Sequence, residues 1–153
     1  MDREARLRGV RRLLFVILLL GFLGTLAELF LLEHDEDAWQ LIPIALLSSG
    51  VIALACTAAW PRPATVRLFQ ALMVLFIASG GAGLLLHYRA NVEFQLEMDP
   101  ALRSMALFWK VMAAKAPPAL APGIMAQLAL VGLAYTYAHP ARLAHGGTHE
   151  GER

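Results

Sequence analysis

The chain has 153 residues, a length suited to one domain, but 58% of them are apolar and the mean hydropathy is +0.57, more than a soluble domain of this size can hide. The formal net charge of +1 says little as a total, and no long basic tract with interleaved aromatics is present, which argues against nucleic acid as a ligand. A single cysteine, Cys56, excludes an intramolecular disulfide and any relay that needs two paired thiols.

Residues 1–12 carry Arg3, Arg6, Arg8, Arg11 and Arg12 against Asp2 and Glu4. A run of twenty residues follows, from Leu13 to Leu32, broken by one carboxylate, Glu28, and closed by Glu33-His34-Asp35-Glu36-Asp37. Twenty helical residues cover about 30 Å, the hydrocarbon thickness of a bilayer. Thr25-Leu26-Ala27 is a passable signal-peptide cleavage site, but the apolar run continues beyond it, so an uncleaved anchor is expected. The second span, 41–59, lies between Trp39 and Trp60, whose indoles sit about 31 Å apart on a helix, matching two interfacial belts. Trp60-Pro61-Arg62-Pro63 ends it, because proline cannot continue a helix.

The third span covers about 66–86, between Arg67 and the rim His87-Tyr88-Arg89. From His87 to Met98 there is no Gly or Pro, and Glu93 and Glu97 stand one turn apart, so this helix is expected to project out of the membrane. Asp99-Pro100 reads as an N-cap and first helical residue of a short helix over about 100–115. Its apolar stripe, Leu102, Met105, Phe108, Trp109 and Met112, opposes Arg103, Ser104 and Lys110, a pattern that suits an interfacial element. The fourth span, about 118–138, opens at Pro117-Pro118, is loosened at Pro122-Gly123, and has Tyr135 and Tyr137 at its interface. Residues 139–153 read as a flexible tail. The expected fold is thus an all-α membrane protein: one domain, 1–153, forming a four-transmembrane-helix bundle with an extra interfacial helix in the outer loop, 87–117.

Lys and Arg are segregated nine to four in favour of the side holding the N-terminus, the 60–67 turn and the tail. The positive-inside rule then places both termini in the cytoplasm, in a bacterial inner membrane. The opposite face carries Glu33, Asp35, Glu36, Asp37, Glu93, Glu97 and Asp99. Small residues recur at four-residue spacing, Gly21 with Thr25, Ala45 with Ser49 and Ala53, Ala78 with Ala82, and Ser79 with Gly83, while the fourth span has Ala121, Gly123, Ala126, Ala129 and Gly132. Such spacing lets helix backbones approach closely within a bilayer.

Glu28 is the first candidate functional residue, since an ionisable group inside a span is costly and tends to be retained for a reason. It lies roughly 7 Å beneath the outer boundary. Counted from the same boundary, Thr25, Ser48, Ser49, Ser79 and Gln127 all fall at roughly 10 to 14 Å, so every span offers a polar group to one layer. If these side chains face inward they form a polar funnel beneath Glu28, a candidate proton or cation site. The competing reading is hydroxyls bonded to their own helix and a carboxyl bonded at the rim. Gln127 is the hardest to explain that way, because its amide must find partners in hydrocarbon.

The acidic rim also supplies metal-ligand types: His34, His87, Glu33, Asp35, Glu93 and Glu97. Their spacing matches no metal motif, and His87 lies about 120° around the helix from Glu93 and Glu97. No cofactor is predicted from this, although a metal, or a haem between His34 and His87, is chemically permitted.

The segments from Gly24-Thr25-Leu26-Ala27-Glu28-Leu29 to Trp39-Gln40, with His87-Tyr88-Arg89-Ala90-Asn91-Val92-Glu93-Phe94 and Ala134-Tyr135-Thr136-Tyr137, resemble an uncharacterised family of small bacterial four-span membrane proteins. That resemblance covers most of the chain and implies no activity. A glutamate in a first span is also similar to the small multidrug-resistance transporters, which differ in having short loops. Three functional readings stand at this point. The leading one is a non-enzymatic accessory or assembly component that meets the lipid bilayer and a membrane-protein partner or a second copy of itself. The others are a proton- or cation-coupled carrier or binder at Glu28, and a metal or haem binder at His34 and His87.

Overall fold

Among the described residues the secondary structure is helical throughout: α1 (Arg3–Leu31), α2 (Ala38–Ala59), α3 (Pro63–Met98), α4 (Ser104–Met112) and α5 (Gly123–Thr136). The structure is a computed structural model that describes residues 3–33, 37–115 and 118–141. Among these residues three helices, α1, α2 and α3, are long and apolar enough to cross a membrane, consistent with a multi-pass membrane protein. At 14 residues α5 is apolar but shorter, about 21 Å along its axis.

Helix boundaries follow from local chemistry. The Asp37 carboxylate caps α2 by accepting the N–H groups of Trp39 and Gln40 at 2.8 and 2.9 Å. Pro43 sits inside α2 near its start, where its missing N–H costs a single ladder bond. Trp60, Pro61 and Arg62 make the turn into α3, with the Thr65 hydroxyl donating to the Trp60 carbonyl at 2.8 Å and Pro63 taking the first helical position. The 36 residues of α3 reach about 54 Å, well beyond a bilayer core, in keeping with its uninterrupted 87–98 segment.

Two boundaries differ from the sequence expectation. The Asp99 carboxylate accepts the Ala101 N–H at 3.1 Å and its carbonyl accepts the Leu102 N–H at 3.2 Å, so Asp99 closes a turn and does not cap a helix. Arg103 is then extended, Ser104 has a φ of +48°, and α4 starts at Ser104. Similarly, 118–122 forms tight turns, with the Gly123 N–H on the Leu120 carbonyl at 2.9 Å, and α5 starts only at Gly123. Pro118 and Pro122 have no N–H with which to extend a helical ladder through this stretch.

The chain divides into two units, Met1–Phe76 with Leu128–Arg153, and Ile77–Gln127. In the first, Leu18, Phe22, Leu47, Leu54, Val66, Phe69, Met73 and Phe76 are fully buried. The Phe22 and Phe76 rings stand 5.4 Å apart, and Tyr135 meets both Phe15 at 6.3 Å and Phe69 at 6.1 Å. Phe15 sits beside Tyr135 at the end of α5, while Gly21, further along α1, approaches Leu128 nearer the start of α5, so the two helices run antiparallel. Glycines make the close approaches: a Cβ at Gly21 would strike Leu128, and one at Gly50 would lie 3.0 Å from Phe76 and 3.3 Å from Phe22.

In the second unit, α3 meets the chain around Pro122 through Gly80 and Gly83. A Cβ on Gly83 would lie 2.7 Å from the Pro122 side chain, and one on Gly80 would lie 3.1 Å from both the Pro122 carbonyl and the Ala126 nitrogen. Backbone cannot yield as a side-chain tip can. Gly80→Ala is accordingly expected to destabilise this unit by about 1–3 kcal/mol, measurable as a lower unfolding midpoint in micelles. Gly81, with open space around it, is the tolerant control. Asn91 and Val111 are buried here, and Tyr88 meets Phe108 at a ring separation of 6.5 Å. A half-exposed Asp99 to Lys110 ion pair at 3.9 Å adds little.

Candidate functional site

In the first unit two of the three hydroxyls expected in the polar layer turn back on their own helix. Ser48 donates to the Ile44 carbonyl at 2.8 Å and Ser49 to the Ala45 carbonyl at 2.7 Å, while Thr25 is half-buried. Ser49 is exposed, beside Ala53 and Ala71 on an apolar groove of about 310 Å³ between α2 and α3. Glu28 is exposed on α1, and among the described residues it has no hydrogen-bond or ion-pair partner for its carboxylate. The two other layer residues belong to the second unit, where Ser79 is half-buried and Gln127 exposed.

The face of α1 that carries Glu28 is distinct from the face that packs. Gly21 approaches Leu128, but a Cβ added to Gly24 would meet nothing within 4 Å, and Ala27 and Leu31 beside it are exposed. Gly24, Ala27 and Glu28 fall at i, i+3 and i+4, so they form one outward strip in which a small-residue surface ends in a carboxylate.

At the acidic rim, His87 is half-buried and its Nδ1–H donates to the Pro118 carbonyl at 3.0 Å, which leaves Nε2 as the acceptor nitrogen of the neutral ring. Glu33, Glu93 and Glu97 are exposed, and His34 and Asp35 lie outside the described residues. Among the described residues no three His, Cys, Asp or Glu side chains come together as a metal site.

A second polar cluster, which sequence patterning does not single out, occupies the arginine-bearing end of the first unit. The Gln70 amide donates to the Thr136 hydroxyl at 3.1 Å, and Thr136 is itself 3.1 Å from the carbonyls of Gly132 and Leu133. Buried Thr57 bonds the Ala53 carbonyl at 2.8 Å. The Arg11 guanidinium donates to the Ala138 carbonyl at 2.6 Å, where Ala138, with a φ of +46°, ends the α5 segment. A cation there satisfies an orphan carbonyl and complements the negative helix end.

His139 packs its ring against Tyr135 at 6.3 Å and accepts the Ala141 N–H on Nδ1 at 3.3 Å. Burial first, and the Arg11 charge second, hold its pKa below the ordinary 6.5. Folding thus favours the neutral ring, and the unfolded chain takes up a proton more readily. Stability is expected to be flat above pH 6.5 and to fall as the pH drops below it, towards the folded-state value. The thermal midpoint followed between pH 8 and pH 5 checks this, with His139→Gln expected to flatten the dependence.

Compared with protein-family models, curated proteins and solved structures, the chain has no match in any of the three. Chemistry and geometry therefore carry the functional reading.

Proposed function

We propose that this protein is a non-enzymatic accessory or assembly component of a larger membrane system, held in a bacterial inner membrane with both termini in the cytoplasm. In this reading α5 and the turns before it complete a fourth span, closing a four-helix bundle, and α4 lies in the outer interface. The exposure of Met105, Phe108 and Trp109 on α4 supports an interfacial placement.

The observation that carries the proposal is the strip of Gly24, Ala27 and Glu28. A carboxylate turned outward from an apolar helix just beneath the membrane boundary is costly against lipid and favourable against a donor. The open glycine beside it lets another helix approach closely enough to supply that donor. The occupant is a helix of a different membrane protein, carrying a cation or hydrogen-bond donor opposite Glu28. A carrier built on the polar layer has less support, because the Ser48 and Ser49 hydroxyls are already engaged with their own helix.

Affinity purification of the full chain from native membranes in mild detergent tests the proposal. A second membrane protein in fixed stoichiometry is expected. Recovery of the chain only as a monomer or homodimer would contradict it.

A further inference from the structure

The arginine-bearing end of the first unit holds a groove of about 440 Å³ between residues 11–16 of α1, the end of α2, and the end of α5 with the residues that follow it. Donor side chains of Arg11, Arg12, Tyr135 and His139 line it. Arg11 is fixed by its bond to the Ala138 carbonyl, which leaves the rest of its five-donor fork available. Arg12 is exposed and has no hydrogen bond or ion pair among the described residues. The Tyr135 ring is buried, while its hydroxyl, which has no hydrogen-bond partner among the described residues, remains accessible. His139 accepts on Nδ1, so its neutral ring carries the proton on Nε2, a fourth donor. Among the described residues no carboxylate lines the groove.

A set of donors and two guanidinium groups without an acidic counterpart is the chemistry of phosphate recognition. The remaining wall decides the source of that phosphate. Phe15, Val16, Ala58 and Pro61 make the groove apolar on its other side, and Val16 continues into exposed Leu13 and Leu20 along α1. A soluble phosphate has no use for that surface, whereas a glycerol backbone and the top of an acyl chain cover it. Arg11 and Arg12 also directly precede the apolar run, at the level of lipid headgroups.

We infer that this groove binds an anionic phospholipid, its headgroup phosphate held by Arg11, Arg12, Tyr135 and His139 and its glycerol end laid along Phe15 and Val16. The inference rests on the membrane placement proposed above but not on partner docking at Glu28. Basic pockets between helices on the cytoplasmic side suit such lipids, which enrich that leaflet.

The test titrates the purified full chain in neutral detergent with phosphatidylglycerol, phosphatidylcholine or inorganic phosphate, following bound lipid by native mass spectrometry and the thermal midpoint. Phosphatidylglycerol is expected to bind saturably at one site and to stabilise the fold, with phosphatidylcholine and inorganic phosphate at least about tenfold weaker. Arg12→Gln should weaken phosphatidylglycerol about tenfold, the scale of one charge-assisted phosphate contact. Tyr135→Phe, which keeps the ring and its packing, should weaken it about fivefold. Arg6→Gln, on the same helix but away from the groove, and Gly24→Leu, on the docking strip, should leave it within about twofold. Equal binding of phosphatidylcholine, equal binding of inorganic phosphate, or an Arg6→Gln effect as large as that of Arg12→Gln would each overturn the inference.

Discussion

Gly132→Leu is expected to cost the first unit about 3 kcal/mol or more, enough to separate α5 from α3 in micelles. A Cβ at this glycine already strikes Met73, lying 2.9 Å from its Cγ and 3.2 Å from the Phe69 ring. Met73 and Phe69 are both fully buried, and Phe69 is held edge-on by Tyr135, so neither has room to withdraw. Within a bilayer, burying apolar side chains gains little over leaving them in lipid, and close packing carries the association of helices. Losing the approach at one glycine therefore removes much of what holds α5. Unfolding in a titration of denaturing detergent, followed by the near-ultraviolet signal of Tyr135 and the tryptophans, measures the loss. An unchanged midpoint would show that α5 is held elsewhere.

The second large effect falls on partner retention. Gly24 has open space around it, and leucine is a better helix former than glycine, so Gly24→Leu should fold at least as well as the parent chain. On the proposed docking strip, however, it holds the partner backbone away and should reduce recovery of the partner by tenfold or more, roughly the loss of 1.4 kcal/mol or above. Glu28→Gln keeps the shape and removes the charge. If the partner supplies a cation in a water-poor interface, its loss costs about 2–5 kcal/mol, again without affecting the fold of the isolated chain. Had Glu28 instead been the centre of a proton or cation pathway, Glu28→Gln would abolish uptake while Gly24→Leu left it intact, so the two variants separate the readings.

Hydropathy and length make the helices legible. The apolar runs of α1 and α2, and the lack of Gly and Pro in 87–98 that lets α3 run on, all follow from local sequence. Helix starts next to proline are harder to read, because the Asp99 carboxylate accepts the Ala101 N–H two residues on, a bond that an isolated turn makes as readily as a helix N-cap does. Spacing also reveals that small residues matter without revealing which face they serve. Of the two pairs expected on α3, Ala78 with Ala82 is exposed, while Gly83, from the pair with Ser79, makes the approach together with Gly80, which the spacing does not single out. Faces are fixed by helix rotation, which long-range packing sets.

The polar cluster at the arginine-bearing end escapes the sequence for a simpler reason. A depth counted from the acidic boundary passes over Thr57, Gln70 and Thr136, which lie close to the opposite one. Counting from both ends brings these three to a common level beside Arg11 and Tyr135. What no count supplies is the bond from Arg11 to the Ala138 carbonyl, which joins residues 127 positions apart.

Docking through the outward face of α1 is the claim on which the functional account turns, and site-specific photocrosslinking in native membranes tests it most directly. A photoreactive phenylalanine analogue replaces Ala27, on the strip, or Val74, an exposed position on α3. A single covalent adduct with another membrane protein is expected from position 27, reduced by Gly24→Leu in the same chain, and none from position 74. Adducts at position 27 with lipid alone, or only with a second copy of this chain, would contradict it.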